Sequence, residues 1–264
     1  LWRYCGFSMQ NLLRNGDNSI MEKELKQFLA DGAKECSVHL EEEQLQSFLK
    51  YKDILLEWNK KMNLTAIEED RDVILKHFID SLTIMPYINR CLEEKRSLDL
   101  IDVGTGAGFP GIPVKISAPA VSVTLLDSLE KRVKFLGEVI KELGLAGISA
   151  LHGRAEDYGV KAEYRERFDV SVARAVANIP VLLEYCLPFT KVGGMFIAMK
   201  GSSTEEIKDS KKALDVLGAE IEDVRELVLP FSDIKRNIIL IRKLRQTPSK
   251  YPRKAGKPAK DPLI

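Results

Sequence analysis

Residues Asp102–Gly111, read Asp-Val-Gly-Thr-Gly-Ala-Gly-Phe-Pro-Gly, constrain this chain more than any other stretch. They follow an apolar, strand-like run (Leu98, Leu100, Ile101, Val103) and precede a helix-compatible one. Gly104, Gly106 and Gly108 permit backbone angles closed to other residues, and they let a ligand approach the main chain with no Cβ in its way. Strand, glycine turn and helix in that order predict a nucleotide-binding turn. The spacing narrows the ligand. A dinucleotide fingerprint, Gly-x-Gly-x-x-Gly, needs glycine at 109, where this chain has Phe109, so a pyrophosphate is disfavoured.

An acid two residues before the first glycine, here Asp102, followed by Gly-x-Gly-x-Gly, is the pattern seen where the ligand is S-adenosylmethionine. That molecule has no phosphate to cradle but carries a ribose and a charged amino-acid end. A second apolar run, Val121–Leu126, ends in Asp127, about 20 residues after the turn, where Rossmann-type folds use a carboxylate to accept both ribose hydroxyls. The competing reading is that both acids only cap strand ends and open turns.

In the front third, Glu22–Ala30, Glu41–Lys60 and Val73–Arg90 carry apolar residues at three and four spacing, among them Leu45, Phe48, Leu49, Ile54, Leu55 and Trp58, which predicts amphipathic helices. From residue 98 the period changes. Strands are expected at 98–103, 121–126, 148–152, 168–173 and 192–199, with helices at 110–117, 128–143, 178–187 and 204–217. Two last strands, 221–229 and 237–243, have no helix between them and read as a hairpin around Pro230–Arg236. The prediction is an α/β protein of Rossmann-like class I methyltransferase fold: a mainly parallel seven-stranded sheet with a terminal antiparallel hairpin, preceded by an N-terminal helical segment. Residues 1–20 are expected to be a disordered or upstream extension, with Met21 the better natural start; 21–95 form the helical subdomain and 96–246 the methyltransferase domain. Residues 247–264 form a basic arm, whose Pro248, Pro252, Pro258 and Pro262 forbid a long helix.

With 264 residues, 45% hydrophobic and 30% charged, the chain can bury a full core and reads as a soluble globular protein. The formal net charge of +1 hides a basic end: Arg242, Lys243, Arg245, Lys250, Arg253, Lys254, Lys257 and Lys260 meet no acid until Asp261. Clustered cations with Tyr251 and prolines suit an extended arm along phosphates, against the alternative of a solvated tail. Cys5, Cys36, Cys91 and Cys186 form no Cys-x-x-Cys pair, and His39, His77 and His152 fall at no metal-ligand spacing. Neither a disulfide framework nor a metal site is expected, and a reduced, cytoplasmic residence follows; no membrane partner is expected either.

Several segments together resemble the bacterial small-subunit (16S) ribosomal RNA guanine-N7 methyltransferases, the family first named as glucose-inhibited division protein B. They are Trp58-Asn59-Lys60-Lys61-Met62-Asn63-Leu64-Thr65, Lys76-His77-Phe78-Ile79-Asp80-Ser81-Leu82, Asp102 to Pro113, and Leu125-Leu126-Asp127-Ser128-Leu129-Glu130-Lys131-Arg132. Further on come Gly153-Arg154-Ala155-Glu156, Ala173-Arg174-Ala175, Lys200-Gly201 and Tyr251-Pro252-Arg253-Lys254-Ala255-Gly256-Lys257-Pro258. The resemblance covers nearly everything after Met21. It implies transfer of a methyl group from S-adenosylmethionine to N7 of one guanine in 16S ribosomal RNA, as naked RNA or in a small-subunit ribonucleoprotein particle. It also implies cofactor contacts at Gly104, Phe109, Asp127, Ala155, Glu156 and Arg174. Two rivals stay open, a small-molecule methyltransferase and a non-catalytic small-subunit assembly factor with a vestigial cofactor site.

Guanine N7 carries an in-plane lone pair, so its methylation needs no general base. The protein's task is to align N7, methyl carbon and sulfur and to exclude water. No Asp/Asn-Pro-Pro-Tyr/Phe segment of amino-group methyltransferases follows the fourth strand, and Cys186, on an apolar helix, reads as core rather than as a carbon-5 nucleophile. Arg174, at the end of the fourth strand, is the candidate catalytic residue: its guanidinium can contact cofactor, stack on guanine or hold a phosphate, or it can simply pair with Glu156 or Asp127. Lys200, Lys250, Arg253, Lys254 and Lys257 are the candidate RNA contacts, Lys200 with a solvated strand-end lysine as its alternative. His77 reads as a hydrogen-bonded core histidine that positions the front helices, and Trp58 as a core anchor.

Overall fold

The computed structural model describes residues 6–95, 97–174, 177–201 and 205–264. Residues 1–5 with Cys5, the domain-boundary residue Arg96, Ala175 of the Ala-Arg-Ala segment with Val176 after it, and Thr204, the expected start of a helix, lie outside the described residues.

The front folds as α1 (Gly6–Glu35), α2 (Glu42–Met62), α3 (Asp70–Val73), a π-helical turn over Ile74–Ile79, α4 (Asp80–Leu82) and α5 (Met85–Glu94). Of residues 1–20, expected as a disordered or upstream extension, 6–20 belong to the first helix, in a stretch that holds no proline. α2 has its expected apolar stripe, with Leu45, Phe48, Leu49 and Leu55 buried, and a capping box of Glu41 and Gln44 at its start.

The rest alternates as the sequence predicts: β1 (Leu98–Val103), α6 (Gly111–Ser117), β2 (Val121–Asp127), α7 (Glu130–Glu142), β3 (Ile148–His152), α8 (Ala155–Tyr158), β4 (Phe168–Arg174), α9 (Ile179–Cys186), β5 (Thr190–Lys200), α10 (Lys211–Leu217), β6 (Ala219–Val228) and β7 (Lys235–Lys243). The helix expected over 204–217 is a 3₁₀ turn at Glu205–Ser210 followed by α10. The sheet runs β3-β2-β1-β4-β5-β7-β6, parallel except for the antiparallel β7. Because the chain leaves β1 in one direction toward β3 and returns on its other side as β4, the crevice beyond the carboxyl ends of β1 and β4 is the topological switch point, where open α/β sheets bind ligands.

Alternation along the strands divides the core into two layers. In β7, Ile238 and Leu240 pack toward the front helices with α6 and α7, while Ile239 and Ile241 pack toward α9 and α10. The second layer also receives Tyr251 and Leu263, both 8% exposed. The expected arm over 247–264 is therefore docked on the body, and it ends in a short helix, α11 (Lys257–Lys260). Prolines do exclude a long helix there, but buried Tyr251, Pro252, Pro258 and Leu263 anchor the segment. Among the described residues no helix is long and apolar enough to cross a membrane.

Candidate active site

Gly104, Gly106 and Gly108 all adopt positive φ (73°, 64° and 97°), so the turn after β1 takes the left-handed path that the glycines allow. It is held from both ends. Gly104 N–H donates to the Leu126 carbonyl at 2.8 Å, the Tyr51 hydroxyl of α2 donates to the Ala107 carbonyl, and Asp102 clamps the far side. Asp102 is fully buried, and its Oδ2 accepts from Thr105 Oγ1 at 2.7 Å and from Gly111 N–H at 2.8 Å. Burial raises its pKa to about 6 against those two hydrogen bonds, and Oδ1 has no partner. Of the two acids singled out in the sequence, Asp102 closes the turn on itself and only Asp127 reaches the crevice.

The crevice has two lobes that share Gly104 and Ser128. The first, about 370 Å³, is mostly apolar: Val103, Leu126, Ala155, Ala177 and Tyr185 line it together with the charged residues Arg154 and Glu156. The second, about 390 Å³, is polar, with Thr65, His77, Asp127, Arg132 and Arg174 around the glycine turn. The expected cofactor residues divide accordingly. Gly104, Ala155 and Glu156 line the first lobe; Gly104, Phe109, Asp127 and Arg174 line the second.

Asp127 sits at the end of β2, 2% exposed, and accepts from Gly106 N–H and Leu129 N–H, each at 2.9 Å, with Arg132 at 3.4 Å. Phe109 is only 3% exposed; its ring stacks on His77 (centroids 4.4 Å apart, 12° between planes) and on Tyr51 (5.5 Å), so most of its surface serves packing.

Arg174 meets neither Glu156 nor Asp127, the partners its structural reading named. Its guanidinium donates to Asp80 Oδ2 and the Lys76 carbonyl at 3.2 Å and to His77 Nδ1 at 3.1 Å, and it lies 5.0 Å from the Phe109 ring centre. Lys76, His77 and Asp80 come from the π-helical turn and its continuation, a geometry frequent at functional sites. A guanidinium only donates, so His77 Nδ1 accepts and the ring hydrogen resides on Nε2, which donates to Thr65 Oγ1 at 2.9 Å. Burial, then the Arg174 charge, lowers the His77 pKa to about 3. The imidazole is neutral, with both nitrogens engaged.

The candidate RNA contacts are mostly occupied. Lys200 bonds the Ala177 carbonyl at 2.7 Å and Glu206 at 3.0 Å, Lys257 pairs with Asp261 at 2.8 Å, and Arg253 is locked onto buried Glu184 at 2.6 Å. Lys250 and Lys254 remain exposed, Lys250 beside the Tyr251 ring. Buried carboxylates need partners, and that requirement claims the tail arginine before any phosphate can. Trp58 packs on Phe135 of α7 and Cys186 is fully buried, both as core. Thr65, Arg132, Tyr185, Gly256 and Ala259 were missed as lining residues, although Thr65, Arg132 and Gly256 lie inside segments that carry the resemblance. No group of three or more His, Cys, Asp or Glu side chains among the described residues could hold a metal.

A sheet of this order with a glycine turn after β1, an acid ending β2 and a crevice at the switch point defines the Rossmann-like class I methyltransferase fold. A Pyrococcus horikoshii protein described as a transferase shares that fold, with a TM-score of 0.50 at 15% identity over 63% of this chain and 64% of that one. The family model for rRNA small subunit methyltransferase G matches residues 44–239. Ribosomal RNA small subunit methyltransferase G of Acetivibrio thermocellus is 64% identical over 244 residues, 92% of this chain and 99% of that one; the Alkaliphilus oremlandii protein of the same name is 54% identical over 91% and 99%. The chain belongs to the rRNA small subunit methyltransferase G family.

Proposed function

We propose that this chain transfers the methyl group of S-adenosylmethionine to N7 of one guanine in 16S ribosomal RNA, in the cytoplasm. The carrying observation is that the two lobes meet at the glycine turn, with Asp127 and Arg174 both on the polar lobe and an apolar slot beside it. When bound, the cofactor supplies an electrophilic methyl on a positively charged sulfur.

The residues present fit such a ligand. The apolar lobe with one carboxylate, Glu156, suits a purine ring whose amino edge donates. Asp127 lines the polar lobe, where its carboxylate can accept ribose hydroxyls, and a Cβ at Gly106 would meet no atom within 4 Å, so the glycine turn offers bare backbone to the amino-acid end.

The polar lobe suits a reaction with no proton to remove. His77, its one imidazole, has its acceptor nitrogen on Arg174 and its hydrogen on Thr65, so it orients rather than abstracts. Arg174, 15% exposed and fixed by three acceptors, presents a rigid planar cation to an incoming base or phosphate. Lys60 and Lys61 at the end of α2 and Lys131, which reaches the Met62 carbonyl, are exposed and pair with no carboxylate among the described residues. They lead toward Leu64 and Thr65 of the polar lobe, which favours a polyanionic substrate there over a small molecule.

The test is transfer of labelled methyl from S-adenosylmethionine to small ribosomal subunits, or naked 16S RNA, lacking this modification, with the label mapped to base and atom. Label on one guanine N7 supports the reading. Label on another RNA atom overturns the N7 assignment, and label on no RNA while the cofactor binds moves the reading to a small-molecule substrate or an assembly role.

A further inference from the structure

We infer that the C-terminal segment Tyr251–Asp261 is the outer wall of the purine lobe, and that its small residues Gly256 and Ala259 set the clearance for the ligand there. The inference rests on the cofactor proposed above. Gly256 and Ala259 line this lobe together with Gly104 and Ala155, and neither carries a side chain larger than a methyl group. Gly256 stands at φ +79°, a left-handed conformation that other residues adopt with strain, and this turn delivers its N–H to Glu156 Oε1 at 2.8 Å. The Glu156 carboxylate has no other hydrogen-bond partner among the described residues, so its second oxygen is left for a donor on the ligand. One carboxylate thereby joins the tail to whatever occupies the lobe.

The wall is built in advance of binding. Glu184 of α9, fully buried, accepts from the Arg253 backbone N–H at 2.8 Å and from its guanidinium at 2.6 to 3.1 Å, and Arg253 Nη2 also donates to the Asp261 carbonyl at 2.7 Å, which closes 253–261 into a loop. Upstream, Arg165 donates to the carbonyls of Thr247 (2.6 Å), Pro248 (3.3 Å) and Tyr251 (2.8 Å). Bidentate pairing to a buried acid and a guanidinium spread over three carbonyls are costly arrangements for a free tail and reasonable ones for a rigid wall. Charge clustered in this sequence segment thus serves ligand enclosure.

The experiment titrates the full chain with S-adenosylhomocysteine by calorimetry and follows amide hydrogen exchange over 251–261 with and without it. Ala259 is solvent-exposed at the lobe's mouth, so Ala259→Phe should keep the wild-type melting temperature while weakening binding tenfold or more. In the wild type, exchange at Gly256 and its neighbours should slow when S-adenosylhomocysteine binds. Unchanged affinity in Ala259→Phe together with unchanged tail exchange would overturn the inference while leaving the cofactor reading intact. A wild-type chain that binds no S-adenosylhomocysteine would overturn the cofactor reading and the wall with it. The exchange measurement needs no variant, so a failure of Ala259→Phe to fold leaves the test standing.

Discussion

Asp80 and Arg174, 94 positions apart, meet at 3.2 Å where the helical front touches the end of β4. Asp80 is 3% exposed and also takes Arg236 of β7 at 3.1 Å, so one buried carboxylate ties the front helices, the switch-point strand and the hairpin together. The front is therefore part of the site.

Replacing Arg174 by lysine keeps the charge and loses the fork. An ammonium cannot serve Asp80, the Lys76 carbonyl and His77 in the same planar geometry. Asp80 retains Arg236, so folding should survive. The expected result for Arg174→Lys is a fall in single-turnover methyl transfer of about tenfold or more, roughly one lost charge-assisted hydrogen bond, with a melting temperature near wild type. Wild-type turnover would refute the role.

His77 makes a pH prediction. Its pKa drops from 6.5 to about 3 on folding, so below pH 6.5 the unfolded chain takes up a proton that the folded chain refuses. The stability that the neutral imidazole allows is full above pH 6.5 and drains on acidification, at about 1.4 kcal/mol per pH unit. Asp102 runs the other way: its pKa rises from 3.8 to about 6, so the folded chain gains stability as pH falls through 6. Comparison with His77→Gln cancels the Asp102 contribution. The stability advantage of wild type over His77→Gln should shrink by about 2 kcal/mol between pH 7 and pH 5 in urea unfolding. A gap that stays constant would mean His77 is not held neutral.

Asp127→Ala removes a carboxylate that accepts two backbone N–H groups at the crevice and to which the proposed function assigns the ribose. Loss of hydrogen bonds to a charged group, about 1.5–3 kcal/mol, predicts S-adenosylmethionine affinity weaker by about 10- to 100-fold in calorimetric titration. Undiminished affinity would remove Asp127 from the cofactor site.

The docked tail separates two arginine and lysine substitutions that composition treats alike. Arg253→Ala strips Glu184 of its partner inside the protein and should cost about 3–5 kcal/mol in urea unfolding. Lys254 is exposed and in no ion pair among the described residues, so Lys254→Ala should stay within about 0.5 kcal/mol of wild type. Equal effects would mean that the tail is not anchored through Arg253.

The amino-acid sequence by itself determined the order of strands and helices, the glycine turn and the edge on which Asp127 and Arg174 emerge. Those features rest on local chemistry: short apolar runs that become strands buried on both faces, glycine's access to positive φ at 104, 106 and 108, and strand ends that follow from both. Only the tertiary structure decided which polar groups those positions meet. Asp102 has the spacing of a ligand-facing acid, yet Thr105 and Gly111 fold back onto it. His77, Thr65 and Asp80 become neighbours of Arg174 because α2 and the π-helical turn pack over α6 and the glycine turn, a matter of side-chain fit between distant segments. The tail's cations read as an arm because charge is visible in a sequence, whereas Glu184, 69 positions upstream and silent on an apolar helix, is what draws Arg253 down onto the body beside the apolar lobe. A buried acid's need for a partner is a property of the packed interior, and it exists only once the chain has folded.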